Sequence, residues 1–184
     1  MPIWIIVSFT VFSVLCIFAV AKLFGRGTVE YAKAALGSYL IYTVVFVLIW
    51  IFSVSVPAYI VFIAMLTTLF TVVLGHYAEL YVRSKTFDRY LHAFGSFSLA
   101  LFLYCILDDF VMSGGSVLFR ALFIFLLGNT AGVVFELFEA ACDAKGRAVK
   151  SQKGLKDTDM DMDMLFNLIG SLLAGAFAYF WILV

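Results

Sequence analysis

Charge is what this sequence has least of. Only 13% of its 184 residues are charged, and 12 basic side chains balance 12 acidic ones. Soluble domains run near a quarter charged and half apolar, whereas 65% of this chain is hydrophobic and its mean hydropathy is +1.10. A soluble globular domain of this composition is excluded. There is no basic block on a polar face, so nucleic acid is not expected as a partner. Cysteine is scarce: Cys16, Cys105 and Cys142 are odd in number, and two lie in apolar runs, which argues against a disulfide framework or a zinc cluster. Each reads as a small buried hydrophobe. The opening Met1-Pro2-Ile3-Trp4 lacks the basic start of a secretory signal, so the first apolar run reads as a retained span despite Ala19-Val20-Ala21. No nucleophile elbow, phosphate-binding Walker loop or H-E-x-x-H motif is present, which leaves the familiar hydrolase and nucleotide-binding signatures unsupported.

What the chain does have is long apolar runs. About 30 Å of hydrocarbon at a 1.5 Å rise asks for about 20 apolar residues per helix. Runs at about 3–24, 37–56, 58–80, 90–112, 117–141 and 162–184 satisfy that length, which predicts an all-α fold, a polytopic bundle of six transmembrane helices in a single domain. Only Ser53-Val54-Ser55-Val56-Pro57 divides the second run from the third, and a tight hairpin there is expected because the two together are too long for one span. Of the 12 Lys and Arg residues all but Arg120 fall in the first, third and fifth connections. By the positive-inside rule these connections face the cytoplasm and both termini lie outside.

Ionisable groups inside a span cost about 2.5–3.5 kcal/mol each at the centre on insertion scales, so they default to functional candidates. Here they gather at one depth. The third span ends with His76 and Glu79, the fourth begins with Asp88 and His92, the fifth ends with Glu136, Glu139 and Asp143, and the sixth begins with Asp159, Asp161, Asp163 and Asn167. All lie at cytoplasmic helix ends in the predicted topology. Asn129, Gly132, Glu136, Glu139 and Asp143 form one helical stripe, and Asp159, Asp163, Asn167, Gly170 and Ala174 form another. Small residues let membrane helices approach closely, so the fifth and sixth spans are expected to meet along these stripes. The fourth adds Asp88, His92 and Gly95 or Ser96. The first two spans, nearly devoid of polar residues, are expected to be a lipid-facing scaffold.

Carboxylates crowded at low dielectric need compensation: protons on some, a divalent cation among them, or Arg83, Lys85 and Arg89 leaning in. A carboxylate and histidine set suits a hard or borderline metal, or acid–base work. Simpler readings compete. Helix-dipole capping alone accounts for Asp157, Asp159 and Asp161 before the sixth span, and interfacial anchoring for His76. Asp157 to Asp161 imitates a calcium loop, but Met162 stands where glycine is needed and Leu168 where glutamate is, so that motif is set aside. The remaining candidates are His92, Glu136, Glu139 and Asp163 as metal ligands, with His92, Glu136 and Glu139 also as catalytic groups. Asp88, Asp143, Asn167, His76, Glu79 and Asp159 would support them.

Asp88-Arg89-Tyr90-Leu91-His92 resembles the D-K-x-x-H element that begins a helix in VanZ-like and YjdF-like bacterial membrane proteins. Asp163 to Gly170 is similar to their D-x-x-x-N-x-x-G helix, and Glu136-Leu137-Phe138-Glu139 looks like their E-x-x-Q or E-x-x-E step. The order and approximate spacing agree over residues 88–175. Glu139 stands where VanZ-like proteins usually carry Gln, and the Asp-Thr pair of the YjdF-like side, Asp157-Thr158, is displaced relative to Asp163. The resemblance implies a small bacterial envelope protein, with a link to glycopeptide-antibiotic tolerance on the VanZ branch, and carries no reaction with it.

The leading expectation is a cell-membrane protein whose acidic and histidine pocket, with a divalent metal as candidate cofactor, faces the cytoplasm and acts on a lipid-linked or envelope substrate. Membrane lipids are its expected surroundings. A proton- or cation-coupled transporter and a non-catalytic membrane interaction protein are the alternatives.

Overall fold

In hydrocarbon every backbone N–H and C=O must be satisfied within its own segment, so apolar runs of this length form helices. A computed structural model describes residues 3–111, 115–144 and 156–183, with side chains excepted at 4, 109–111, 142–144 and 156–159, and all regular structure within them is helical. Helix α1 (Ile3–Gly25) is followed by α2 (Val29–Ile51) and α3 (Ala58–Leu69), which continues directly as a π-helix (Phe70–Tyr77). Then come the single turn α4 (Leu80–Arg83), α5 (Phe87–Val111), α6 (Val117–Ala144) and α7 (Lys156–Trp181). Counting α3 with its π continuation, 6 helices are long and apolar enough to cross a membrane, as the hydropathy predicts.

Several helix ends differ from the predicted spans. The second span, expected at 37–56, begins at Val29, because Glu30 and Lys33 pair at 2.8 Å across one helical turn and so join a helix that hydropathy alone truncates. It stops at Ile51, where Ser53 takes a positive φ of 52° and the Ser53 and Val54 amides turn back to the Trp50 and Ile49 carbonyls. The expected hairpin follows, with Pro57 at the N-cap of α3. The third span ends at Tyr77 instead of 80, and Glu79 at φ 61° breaks the chain direction. Ser84 Oγ accepts the Phe87 amide at 3.1 Å and starts α5 ahead of the expected 90. α7 begins at Lys156, so Asp157, Asp159 and Asp161 lie within its first turns and do not precede it.

α7 packs against both α5 and α6, the most extensive helix contacts in the fold. Small residues allow this. Gly170 lies directly on the Ala93 backbone of α5. A Cβ at Gly128 would meet Ala100 Cβ and Ser171 Oγ at 2.7 Å, and one at Gly175 would meet the Ala121 carbonyl oxygen at 2.9 Å. The stripes on the fifth and sixth spans do meet, as expected. The first two spans are largely outward-facing, as the scaffold expectation has it, and they also bury one face against the bundle. α1 turns Val7, Val11 and Val14 outward but buries Phe12, Cys16, Ala19 and Leu23, and its Phe9 ring stacks on Phe46 of α2 at 4.4 Å. α3 joins this group to α5.

Candidate functional site

Helical spacing aims three pairs of side chains at one point: Asp88 and His92 from α5, Glu136 and Glu139 from α6, Asp163 and Asn167 from α7. His92, Glu136, Asp163 and Asn167 are 8%, 5%, 4% and 2% exposed. The two ring nitrogens of His92 have distinct surroundings. Nδ1 lies 3.1 Å from Glu136 Oε1 and 3.3 Å from Asn167 Oδ1. Nε2 lies 3.5 Å from Asp88 Oδ1 and 3.8 Å from Asp163 Oδ2. One donor atom from each of Asp88, His92 and Asp163 falls within 4.8 Å of the others, and the same holds for His92, Glu136 and Glu139.

Asn167 links this group to the helix packing. Ser96 donates to its Oδ1 at 2.6 Å, and Ser171 donates to its backbone oxygen at 2.7 Å. Its Nδ2 is buried with no hydrogen-bond partner among the described residues. Gly132 makes room for the amide, since a Cβ there would sit 2.7 Å from Asn167 Cγ. Asp88, His92 and Asn167 also line a cavity of about 380 Å³ that runs between α2, α3, α5 and α6.

The other sequence candidates go elsewhere. His76 is buried between the rings of Tyr31 and Tyr81, at centroid distances of 5.9 and 5.1 Å. Glu79 pairs with Arg83 at 2.9 Å on the surface, so Arg83 is held there and does not lean into the acidic group. Lys85 is exposed, and Arg89 is half-buried with an Nε that meets no acceptor among the described residues. The side chains of Asp143, Asp157 and Asp159 lie outside the described residues, and Asp161 is exposed.

Arg120, the basic residue that stands apart from the three basic connections, forms an interhelical clamp with Asp108 at the far end of the bundle. Arg120 Nη2 donates to both Asp108 oxygens at 3.0 and 3.1 Å, and its Nε donates at 2.5 Å to the buried hydroxyl of Tyr104, which donates to Asp108 Oδ1 at 2.6 Å. The spacing of Tyr104 and Asp108, one turn apart, was the available signal. Also missed were Thr67, Thr68 and Thr71, clustered within about one turn of an apolar run, which line the cavity.

Over residues 4–183 the chain matches a family described as a predicted membrane protein, DUF2238, and it belongs to that family. It is also 33% identical over 107 residues to an uncharacterized protein of Thermotoga maritima. That match takes in 58% of this chain and 55% of the relative, so the chain spans about half the length of that protein. No solved structure matches it.

Proposed function

We propose that this DUF2238 membrane protein holds one divalent cation between Asp88, His92 Nε2 and Asp163, with Glu136 as the positioning residue on His92 Nδ1. The distances carry the reading. A cation held at about 2.0–2.2 Å by nitrogen and oxygen sets those two atoms about 3–3.6 Å apart. The 3.5 Å separation at Nε2 falls in that range and the 3.8 Å separation just above it, and both are long for direct hydrogen bonds. The 3.1 Å at Nδ1 suits a hydrogen bond to Glu136, which holds the ring in the tautomer that offers Nε2 to a metal. A mixed nitrogen and carboxylate set favours a borderline or hard ion such as Zn²⁺ or Mn²⁺. Glu139, less buried than Glu136, is the candidate acid–base group beside it.

The substrate class is lipid-linked or another envelope component. The family match is compatible with the VanZ-like and YjdF-like resemblance, on which a bacterial cell-membrane location rests. The positive-inside rule orients the bundle with both termini outside. The transporter alternative needs a polar route beyond Asn167, but there Gly128, Ala100 and Ser171 are in close contact, which shuts the seam between α5, α6 and α7 at that level.

Titration of metal-stripped purified protein with Mn²⁺ or Zn²⁺ tests the cation. One equivalent is expected to bind to the native chain, with affinity at least tenfold lower in a folded Asp163→Asn variant. Equal binding by both proteins would overturn the reading.

A further inference from the structure

We infer that the cavity between α2, α3, α5 and α6 is a slot for one hydrocarbon chain of a membrane phospholipid, whose phosphate sits at the Asp88, His92 and Asn167 end. This deepens the preceding reading and depends on it for the headgroup alone.

The slot is long and lies at the right depth. Its α5 wall runs from Asp88 to Phe102, which at a 1.5 Å rise is about 21 Å. Half of a hydrocarbon core is about 15 Å, so the slot reaches from the end of a span past the bilayer midplane. A volume of about 380 Å³ is within the range of small-ligand sites. It opens sideways toward lipid. Ile41 on α2 and Leu99 on α5 line it, and they are 70% and 39% exposed on the membrane-facing surface.

Chemistry along the wall is graded. Ser38, Thr67, Thr68 and Thr71 each donate to the carbonyl one turn earlier in their own helix. Tyr42 donates to the Val61 carbonyl and Ser96 to Asn167. These hydroxyls have no proton left for a ligand, and Val45, Ala64, Leu91, Leu99 and Phe102 add carbon surface between them. Acceptor groups of a water-soluble ligand would stay unpaired beside these hydroxyls, whereas methylenes lose nothing there.

One end differs. Asn167 is 2% exposed, lines the cavity, and its Nδ2 carries protons that no acceptor among the described residues takes. Beside it stand Asp88 and His92, the proposed cation ligands on the cavity wall. An acidic group alone repels phosphate. A divalent cation on those ligands cancels the charges of Asp88 and Asp163 and takes a phosphate oxygen as a further ligand, and the Asn167 amide supplies a hydrogen bond to another. The chain then extends from this end along α5.

Gly95 marks the midpoint. It lies seven residues from both Asp88 and Phe102, and a Cβ placed there would be 3.6 Å from the Thr67 methyl carbon. Gly95→Ala therefore fits with ordinary contact, while Gly95→Leu fills the gap between α5 and α3 and divides the slot.

The test uses the full chain in nanodiscs containing a phosphatidic acid with a diazirine at the middle of one chain, photolysed and mapped by peptide mass spectrometry. Adducts are expected on Ala64, Leu99 or Phe102, retained in Gly95→Ala and at least tenfold lower in Gly95→Leu. Mn²⁺ binding, measured on the same samples, should survive Gly95→Leu. Adducts spread evenly over outward residues such as Val11, Phe119 and Phe180, or unchanged in a folded Gly95→Leu protein, would overturn the slot. Slot adducts in a protein that binds no Mn²⁺ would support the chain site while refuting the cation reading.

Discussion

His92 Nδ1 and Glu136 Oε1 lie 3.1 Å apart across the α5–α6 contact, closer than either carboxylate on the other side of the ring. That asymmetry orders the expected effects. Glu136→Gln keeps the size and an acceptor oxygen but removes the charge that raises imidazole basicity, so metal affinity should fall about 10–100-fold. Asp163→Asn, which replaces a charged ligand by a neutral amide oxygen, should cost more. Titration of both variants gives the order. The reverse order would put the cation on the Nδ1 side, with Glu136 and Glu139 as ligands.

Cation binding should weaken as pH falls. Histidine and carboxylate ligands coordinate only when deprotonated, so protons compete directly with the metal. The Mn²⁺ dissociation constant measured at pH 8 and pH 6 should be larger at the lower value. An affinity that does not change over that interval would mean that the ion is not held by these groups.

Gly170 and Gly37 should respond oppositely to the same substitution. Alanine is favoured over glycine in a helix interior by about 1 kcal/mol, and nothing stands within 4 Å of a Cβ at Gly37. Gly37→Ala should leave thermal stability in detergent unchanged or raised. At Gly170 the new methyl meets the Ala93 backbone, which cannot rotate away, so Gly170→Ala should destabilise by about 1–3 kcal/mol. Paired melting curves decide it.

Removing Arg120 should loosen α5 from α6 away from the acidic site. The guanidinium makes bonds to Tyr104 and Asp108, and both partners of the ion pair are about a third exposed. Solvent screening lowers its worth, so Arg120→Ala should cost about 1–2 kcal/mol. Thermal stability should drop while Mn²⁺ affinity stays at the native value. A loss of affinity would show that the two ends of the bundle are coupled.

Orientation is open to a direct test in a variant with the native cysteines replaced. A membrane-impermeant maleimide added to intact cells should modify Ser55→Cys and spare Lys85→Cys until the membrane is permeabilised. Labelling in the opposite sense would invert the topology.

Hydropathy made the six spans legible because a hydrocarbon environment tolerates only long apolar helices, a requirement that composition records directly. It misjudged the helix ends, because those depend on local devices that averaging hides. Glu30–Lys33 extends α2, Ser84 starts α5, and the positive φ at Ser53 and Glu79 closes segments. The π-helix at Phe70–Tyr77 left no pattern in the apolar run.

The site was partly legible for a similar reason. Spacing alone put Glu136 with Glu139, and Asp163 with Asn167, on single helix faces, since 3.6 residues make a turn wherever the helix lies. Which faces meet is a property of neighbouring backbones. Gly170 seated on Ala93 and Gly132 beneath Asn167 draw α7 between α5 and α6, bringing Asp163 and Asn167 to His92 while His76 and Glu79 go to an aromatic pocket and a surface pair. Sequence by itself determined that the chain is a bundle of membrane-length helices and which residues share a face. Only the tertiary structure decided which of those faces converge and which side of the His92 ring each carboxylate occupies, because helix approach is set by contacts between residues far apart in the chain.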